Sequence, residues 1–329
     1  MKKVTLIITV ILICALTVGC APISKKANVS YEKDKYVFLV AGFDEAAKNT
    51  DVLFTVSYDA KASEGRIAQI PRDTYFAFGK VQNKINQLYA SKVSDGEPQK
   101  KALEETANEI ASAFGTQFDG FFGITIETFK KLVDAVGGLD IVLKEEKKIF
   151  LADEDPIMLK AGNNHIDGNL AERFVRYRSG YAMGDLGRID AQKIFLNALF
   201  SKLLSGIKLT TVLKVASIME KEVITNVRLY DFINLFIDVL NSKENKKAFY
   251  ATVPGEPVEN EYGLSFYVLN RKSAAELARK YMFATEDFDK ENKFLNLNSS
   301  YFSEVYNEDS IKLKEYTSDN VDGLQIVEK

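Results

Sequence analysis

The sequence holds no tryptophan, one histidine and two cysteines in 329 residues. With His165 alone, a Ser-His-Asp or Cys-His mechanism would rest on a histidine with no evident partner. A zinc site of Cys and His ligands is excluded by count. Neither G-x-x-x-x-G-K-[ST] nor G-x-G-x-x-G occurs, so the usual nucleotide cradles are missing. Charge of one sign is also missing: 43 basic residues stand against 46 acidic ones, a formal net charge of -3. Nucleic acid is therefore not a partner, since a phosphate backbone needs a broad basic surface. The N-terminal apolar run, Val4–Val18, spans 15 residues and falls short of the roughly 20 that cross a bilayer.

That run has the features of a signal-peptide core. Lys2 and Lys3 precede it and Gly19-Cys20 follow it, so residues 1–19 read as a lipoprotein-type signal and Cys20 as the lipid-bearing first residue. Thr17 stands where such a site more often has leucine, and an uncleaved N-terminal membrane anchor is the alternative. Either reading places residues 21–329 outside the cytoplasm. Cleavage would remove Lys2, Lys3 and no acid, leaving a chain at -5 with Cys20 acylated and no free thiol. Residues 20–35 read as a polar tether.

The next segments alternate between strand and helix patterns, which predicts an α/β fold with a central mixed β-sheet flanked by helices. "YVFLVAGFD" (36–44), "DVLFTVSYD" (51–59) and "GRIAQIPRD" (65–73) read as strands. Residues 97–115 have helical spacing and stop at Gly115. "DGFFGITI", "LDIVL", "KKAFYATVPG" and "LSFYVLN" read as further strands, and "GRIDAQKIFLNALFSKLLS" (187–205) as a strongly amphipathic helix. After Glu286 the periodicity fades, and residues 286–329 read as a polar tail or small appendage beside a domain over 36–285.

What chemistry remains is carboxylates and arginines, the materials of magnesium and phosphate sites. Asp44 closes one strand and Asp51 opens the next, which brings two carboxylates to one sheet edge. Acids at strand ends are also ordinary turn residues. Pro71 stiffens the strand exit that presents Arg72 and Asp73. The segment "RFVRYRSGYAMGDLGRIDAQK" gathers Arg173, Arg176, Arg178, Arg188 and Lys193 against Asp185 and Asp190. If "FVRYRS" is extended, Arg176 and Arg178 share a side. On a helix, Asp185, Arg188 and Gln192 share a face. Such guanidiniums suit a multi-oxygen anion; the bland alternative is a solvated basic loop.

Taken in order, "FLVAGFDE…NTDVLFTVSYD", "IAQIPRDTYF", "KINQLYA", "FDGFFGITIETFKKLVDAVGGLDIVL" and "IDGNLAERFVRYRSGYAMGDLGRIDAQK" resemble the LytR-CpsA-Psr family over roughly residues 36–282. The resemblance implies a Mg²⁺-dependent phosphotransferase at the outer face of the cell membrane. Its members move a glycopolymer, such as teichoic acid or capsule, from undecaprenyl pyrophosphate to a peptidoglycan hydroxyl and release polyprenyl phosphate. It carries Asp44 and Asp51 over as metal ligands. Arg72, Arg176, Arg178, Arg188, Gln192 and, more weakly, Lys84 and Asn86 follow as pyrophosphate contacts, with Asp185 as a base for the acceptor hydroxyl. It also implies an apolar groove for the polyprenyl chain, with Phe118, Phe121, Phe122, Phe195, Leu196 and Leu199 as candidate walls. Two positions depart from the family pattern: Asn49 and Ala191 stand where arginines are frequent. A surface lipoprotein that binds such lipids without turnover, or a hydrolase of them, would use the same residues.

Overall fold

A computed structural model describes residues 33–44, 49–79, 83–151, 155–182, 184–206, 208–241, 247–295 and 299–324. The signal, Cys20 and Lys48 lie outside the described residues. Among those described, no helix is long and apolar enough to cross a membrane.

The elements run β1 (Lys35–Phe43), β2 (Thr50–Asp59), β3 (Glu64–Ile70), α1 (Leu88–Ser94), α2 (Gln99–Ala113), β4 (Gly120–Ile124) and α3 (Ile126–Ala135). Next come β5 (Leu139–Leu143), β6 (Lys147–Ile149), β7 (Ile157–Leu159), β8 (Gly162–Ile166), α4 (Gly168–Arg176), α5 (Asp185–Leu204) and α6 (Leu209–Glu222). The chain continues through β9 (Ile224–Thr225), α7 (Leu229–Asn241), β10 (Lys247–Thr252), β11 (Gly255–Glu259) and β12 (Ser265–Leu269). It closes with α8 (Arg271–Tyr281), α9 (Ser300–Asn307) and β13 (Glu315–Thr317).

Seven strands form one mixed sheet in the order β13-β10-β3-β2-β1-β4-β9. β1 pairs parallel with β4, and β3 with β10; the other neighbours are antiparallel. β1 lies inside the sheet because its apolar residues serve both faces. Val37, Leu39 and Ala41 join the main core with Leu103 and Ile110 of α2 and Leu277 of α8. Phe38 and Val40 point the other way, toward the side covered by α3, α5, α6 and α7. β3 ends at Ile70, earlier than its apolar pattern predicts. Pro71 has no N–H for the ladder, and its carbonyl accepts from Thr74 N (3.0 Å) to turn the chain.

The helix predicted over 97–115 is α2, and Gly115 does more than stop it. It sits at φ +68°, and an added Cβ would lie 2.4 Å from the carbonyl oxygen of Glu286. Strain at that φ and overlap with backbone are each worth roughly 1–3 kcal/mol. Gly115→Ala should therefore lower unfolding stability by about 2–5 kcal/mol, read as a shifted denaturant midpoint at constant slope. A shift worth under about 0.5 kcal/mol would show that the Glu286 segment yields freely.

Three expectations change. "FVRYRS" is not extended: α4 continues to Arg176, because Asp167 caps it by accepting from Leu170 N (2.8 Å) and Ala171 and Phe174 bury one face. Helix α5 is not simply amphipathic, for it is buried almost all round, including Arg188, Gln192, Lys193 and Asn197. Lys193 pairs with Asp190 (2.6 Å), and burial pulls its ammonium below the ordinary lysine value, against the pull of Asp190. Asn197 donates to Asp322 Oδ1 (3.0 Å) and accepts from Tyr250 Oη (3.2 Å).

The third concerns the segment after Glu286, which is not an appendage. Phe288, Phe294, Phe302 and Tyr306 belong to the main core, and β13 forms a sheet edge against β10. Buried Asp289 organises this stretch: it accepts from Phe294 N (3.1 Å) and from Tyr306 Oη (2.7 Å). Phe288 and Phe294 plug the core from irregular chain, whereas Phe302 and Tyr306, four residues apart, share the buried face of the short helix α9.

Candidate active site

β1 and β3 end, and β2 begins, at the same edge of the sheet, since β2 runs antiparallel to both. That topology alone collects Asp44, Asp51 and Arg72. Helix α5 then packs across the edge and brings Asp185, Arg188 and Gln192.

The charged groups interlock. Arg72 Nη1 donates to Asp51 Oδ1 (2.8 Å), and its Nε lies 3.6 Å from Asp185 Oδ1, too far for a hydrogen bond. Arg188 Nη2 lies 2.8 Å from that same Asp185 oxygen and donates to the Asp51 carbonyl at 3.3 Å. The Nε atoms of Arg72 and Arg188 are buried and have no hydrogen-bond partner. The two arginines differ in their surroundings. Burial alone would lower the Arg72 pKa, but Asp185, Asp51 and Asp73 outweigh it and hold it above the ordinary value. Arg188 is 5% exposed, and its pKa is lowered, first by burial and further by the nearby Arg72 and Arg178 against the pull of Asp185. Guanidinium stays charged all the same, so the site holds a desolvated positive charge whose Nε donor has no partner. An anion would take that donor.

Arg188 and Asp51 stand at one wall of a cavity of about 400 Å³, with Arg72 and Asp185 behind them and outside its lining. Asp44, Asp51, Arg176, Arg188 and Gln192 line it, together with a long apolar surface from α3, α5, α6 and α7. The arrangement suits a ligand with an oxyanion head and an apolar tail.

Not every expected residue is in place. Phe195, Leu196 and Leu199 line the cavity. Phe118 and Phe121 do not; they pack in the main core on the other side of the sheet. Phe122 joins Phe38 and Phe232 in a small separate cluster. Strand alternation on β4 separates Phe121 from Phe122, and Phe118 precedes that strand. Arg176 reaches the cavity from the last turn of α4, beside Glu172, whereas Arg178 lies beyond the helix end and is exposed. Lys84 is engaged with Asp73 (3.0 Å), next to the ring of Phe266. Asn86 N donates to the Arg72 carbonyl (3.3 Å), which steadies the strand exit. Asn49 Nδ2 donates to Asp44 Oδ2 (2.9 Å), so this side chain orients the first aspartate. Ala191 is fully buried in the apolar cluster of α3, α4 and α5 and contributes packing there. His165 sits on the two-stranded antiparallel sheet of β5 and β8, paired with exposed Asp140 (2.9 Å).

One residue escaped the sequence reading. Gln69 of β3 is 2% exposed, lines the cavity and donates from Nε2 to Gln192 Oε1 (3.2 Å). Gln192 in turn donates to the Val175 carbonyl (3.1 Å). This amide chain ties the sheet edge to α5 and to the end of α4, where Arg176 stands. A glutamine inside the apolar strand "RIAQIP" was the available signal, because a buried amide needs partners.

Among the described residues no group of three or more His, Cys, Asp or Glu could hold a metal ion. Asp44 and Asp51 nevertheless fit Mg²⁺, which binds through one or two carboxylates and fills its shell with water and phosphate oxygens.

The sequence profile of the LytR_cpsA_psr family matches residues 19–282. The polyisoprenyl-teichoic acid–peptidoglycan teichoic acid transferase TagV of Bacillus subtilis strain 168 is 26% identical over 212 residues, 61% of this chain and 52% of TagV. TagU of Bacillus anthracis, named for the same activity, is 26% identical over 250 residues, 74% of this chain and 76% of TagU. The chain thus aligns with about half the length of TagV. The crystal structure of B. subtilis TagV shares the fold with a TM-score of 0.64 at 22% identity, over 77% of this chain and 99% of that one. TagT bound to LIIa-WTA shares it at 0.61 and 21% identity, over 79% and 95%. The matched profile takes in β1 through α8, the stretch that supplies every aspartate and arginine of the site, and on that ground the chain belongs to the LytR_cpsA_psr family.

Proposed function

We propose that this protein transfers a wall glycopolymer from a polyprenyl pyrophosphate carrier to a hydroxyl of peptidoglycan, at the outer face of the membrane, where Cys20 anchors it by lipid. The observation that carries this reading is the buried Arg188, with an unpartnered Nε donor, at the wall of an apolar cavity. The names of TagV and TagU point to the same reaction class.

In this reading the apolar cavity takes the lipid tail and the guanidiniums of Arg72, Arg176 and Arg188 take the pyrophosphate. The acceptor oxygen attacks the phosphorus next to the sugar. The bridging P–O bond breaks, and the leaving polyprenyl phosphate keeps that electron pair. Arg72 and Arg188 each keep an Nε donor without a partner, and preorganised donors of this kind can meet the leaving charge with little reorganisation. Asp185, held by its ion pair with Arg188, takes the acceptor proton on its carboxylate. Mg²⁺ held by Asp44 and Asp51 supplies neutralisation of the pyrophosphate charge when bound. Arg178, exposed beyond α4, serves the polymer side of the head group.

The test uses the full chain in vesicles, with a polyprenyl-pyrophosphate-linked saccharide as donor and a peptidoglycan fragment as acceptor, followed by mass spectrometry. Mg²⁺ should raise the thermal midpoint of the wild type and not of Asp51→Asn, and glycan transfer should depend on both. Tight lipid binding with no product would replace this reading with a non-catalytic lipoprotein. Transfer to water alone would make it a hydrolase.

A further inference from the structure

Two side chains of the apolar cavity, Met219 of α6 and Phe232 of α7, also line a second pocket of about 370 Å³. None of the aspartates or arginines of the site reaches this pocket. Phe122, Val223, Val227 and Leu229 line it beside the polar Gln99, Lys100, Glu220 and Thr225. Phe232 stands between the two spaces. It makes an edge contact with Phe122, which lines only the second (centroids 6.1 Å), and stacks on Phe236, which lines only the first (6.3 Å).

Volume makes this boundary matter. A dry cavity of about 150 Å³ accepts one benzene, or about 25 Å³ per carbon. The first cavity then holds roughly 16 carbons, about three isoprene units. A wall-polymer carrier is several times longer, and its remaining apolar length must either lie in water or find further cover. The second pocket offers nearly the same volume again, behind two side chains. Methionine adapts to irregular contents at little cost, and Phe232 is only partly buried.

We propose that the second pocket is a distal subsite for a long polyprenyl tail, joined to the first cavity when the Met219 and Phe232 side chains turn aside. The subsite rests on the reading of the first cavity as a lipid site and adds a chain-length selection to it. Short prenyl phosphates fill only the first cavity, whereas long ones engage both.

The absence of tryptophan from the chain gives a clean probe. Phe122→Trp places a single fluorophore in the second pocket, and Leu229→Trp narrows that pocket. The full-length variants would be titrated with farnesyl phosphate and with undecaprenyl phosphate in phosphatidylglycerol vesicles. Undecaprenyl phosphate should shift the Phe122→Trp emission to the blue and farnesyl phosphate should leave it unchanged. Leu229→Trp should weaken undecaprenyl phosphate by about tenfold or more, the worth of two buried methylenes, with farnesyl phosphate binding as in the wild type. Long-lipid binding that leaves the Phe122→Trp emission unmoved would overturn the subsite while the lipid reading of the first cavity stands. Failure of both lipids to bind the wild type would overturn the two together.

Discussion

Arg188→Ala should lower kcat for glycan transfer by about 10²–10³-fold, the usual result of removing a preorganised donor from a transition-state anion. The ground is its position. Arg188 is the most buried guanidinium of the site, touches Asp185 and the Asp51 carbonyl, and keeps a buried Nε donor free. Arg188→Lys should recover little of the loss, because a point charge cannot replace the planar fork that serves two partners at once. Exposed Arg178 gives the contrast: Arg178→Ala should cost several-fold at most, as charges facing water are screened and weakly held. Mass-spectrometric rates for the three variants, beside their thermal midpoints, separate catalysis from folding. Equal losses for Arg178→Ala and Arg188→Ala would show that burial does not rank these arginines.

Deleting residues 286–329 should abolish the folded state. The cut removes the strand β13, the Asp289 network and four buried aromatic side chains, Phe288, Phe294, Phe302 and Tyr306. Losing one such ring costs about 3–5 kcal/mol, and an ordinary domain holds only about 5–15 kcal/mol in all. The cut also bares the edge of β10, a pairing surface for other chains. The expected product is insoluble, or lacks a cooperative thermal transition by circular dichroism. A soluble fragment with a sharp transition near that of the full chain would refute the claim that this segment completes the core. The family profile ends at residue 282, so the segment is a property of this chain's own core rather than of the matched stretch.

Much of the architecture was legible in advance because it rests on local rules. "YVFLVAGF" is apolar at every position, and only a strand covered on both faces accommodates that. Three adjacent strands joined by short connections must alternate direction, so Asp44, Asp51 and Arg72 meet at one edge whatever covers the sheet. A spacing of three and seven residues set Asp185, Arg188 and Gln192 on one face of α5. The motif order then identified the family.

The errors share one cause. "FVRYRS" alternates like a strand, yet it ends a helix, because the Asp167 cap and the buried Phe174 outweigh a six-residue pattern. The phenylalanines of "FDGFFG" were candidates for one groove, but alternation along β4 sends Phe121 and Phe122 to opposite faces. After Glu286, Phe288 and Phe294 follow no period, and the one helical pair, Phe302 and Tyr306, sits on a helix of only eight residues.

Local composition and spacing therefore dictated which elements form and which charged residues leave the sheet at the same edge. The packing of distant segments dictated how those residues act. Gln69 meets Gln192 across 123 positions and Arg188 meets the Asp51 carbonyl across 137. The desolvation of Arg188 arises from burial, which no window of neighbouring residues encodes. Secondary structure follows short-range sterics and hydrogen bonding, whereas desolvation depends on everything the fold brings near.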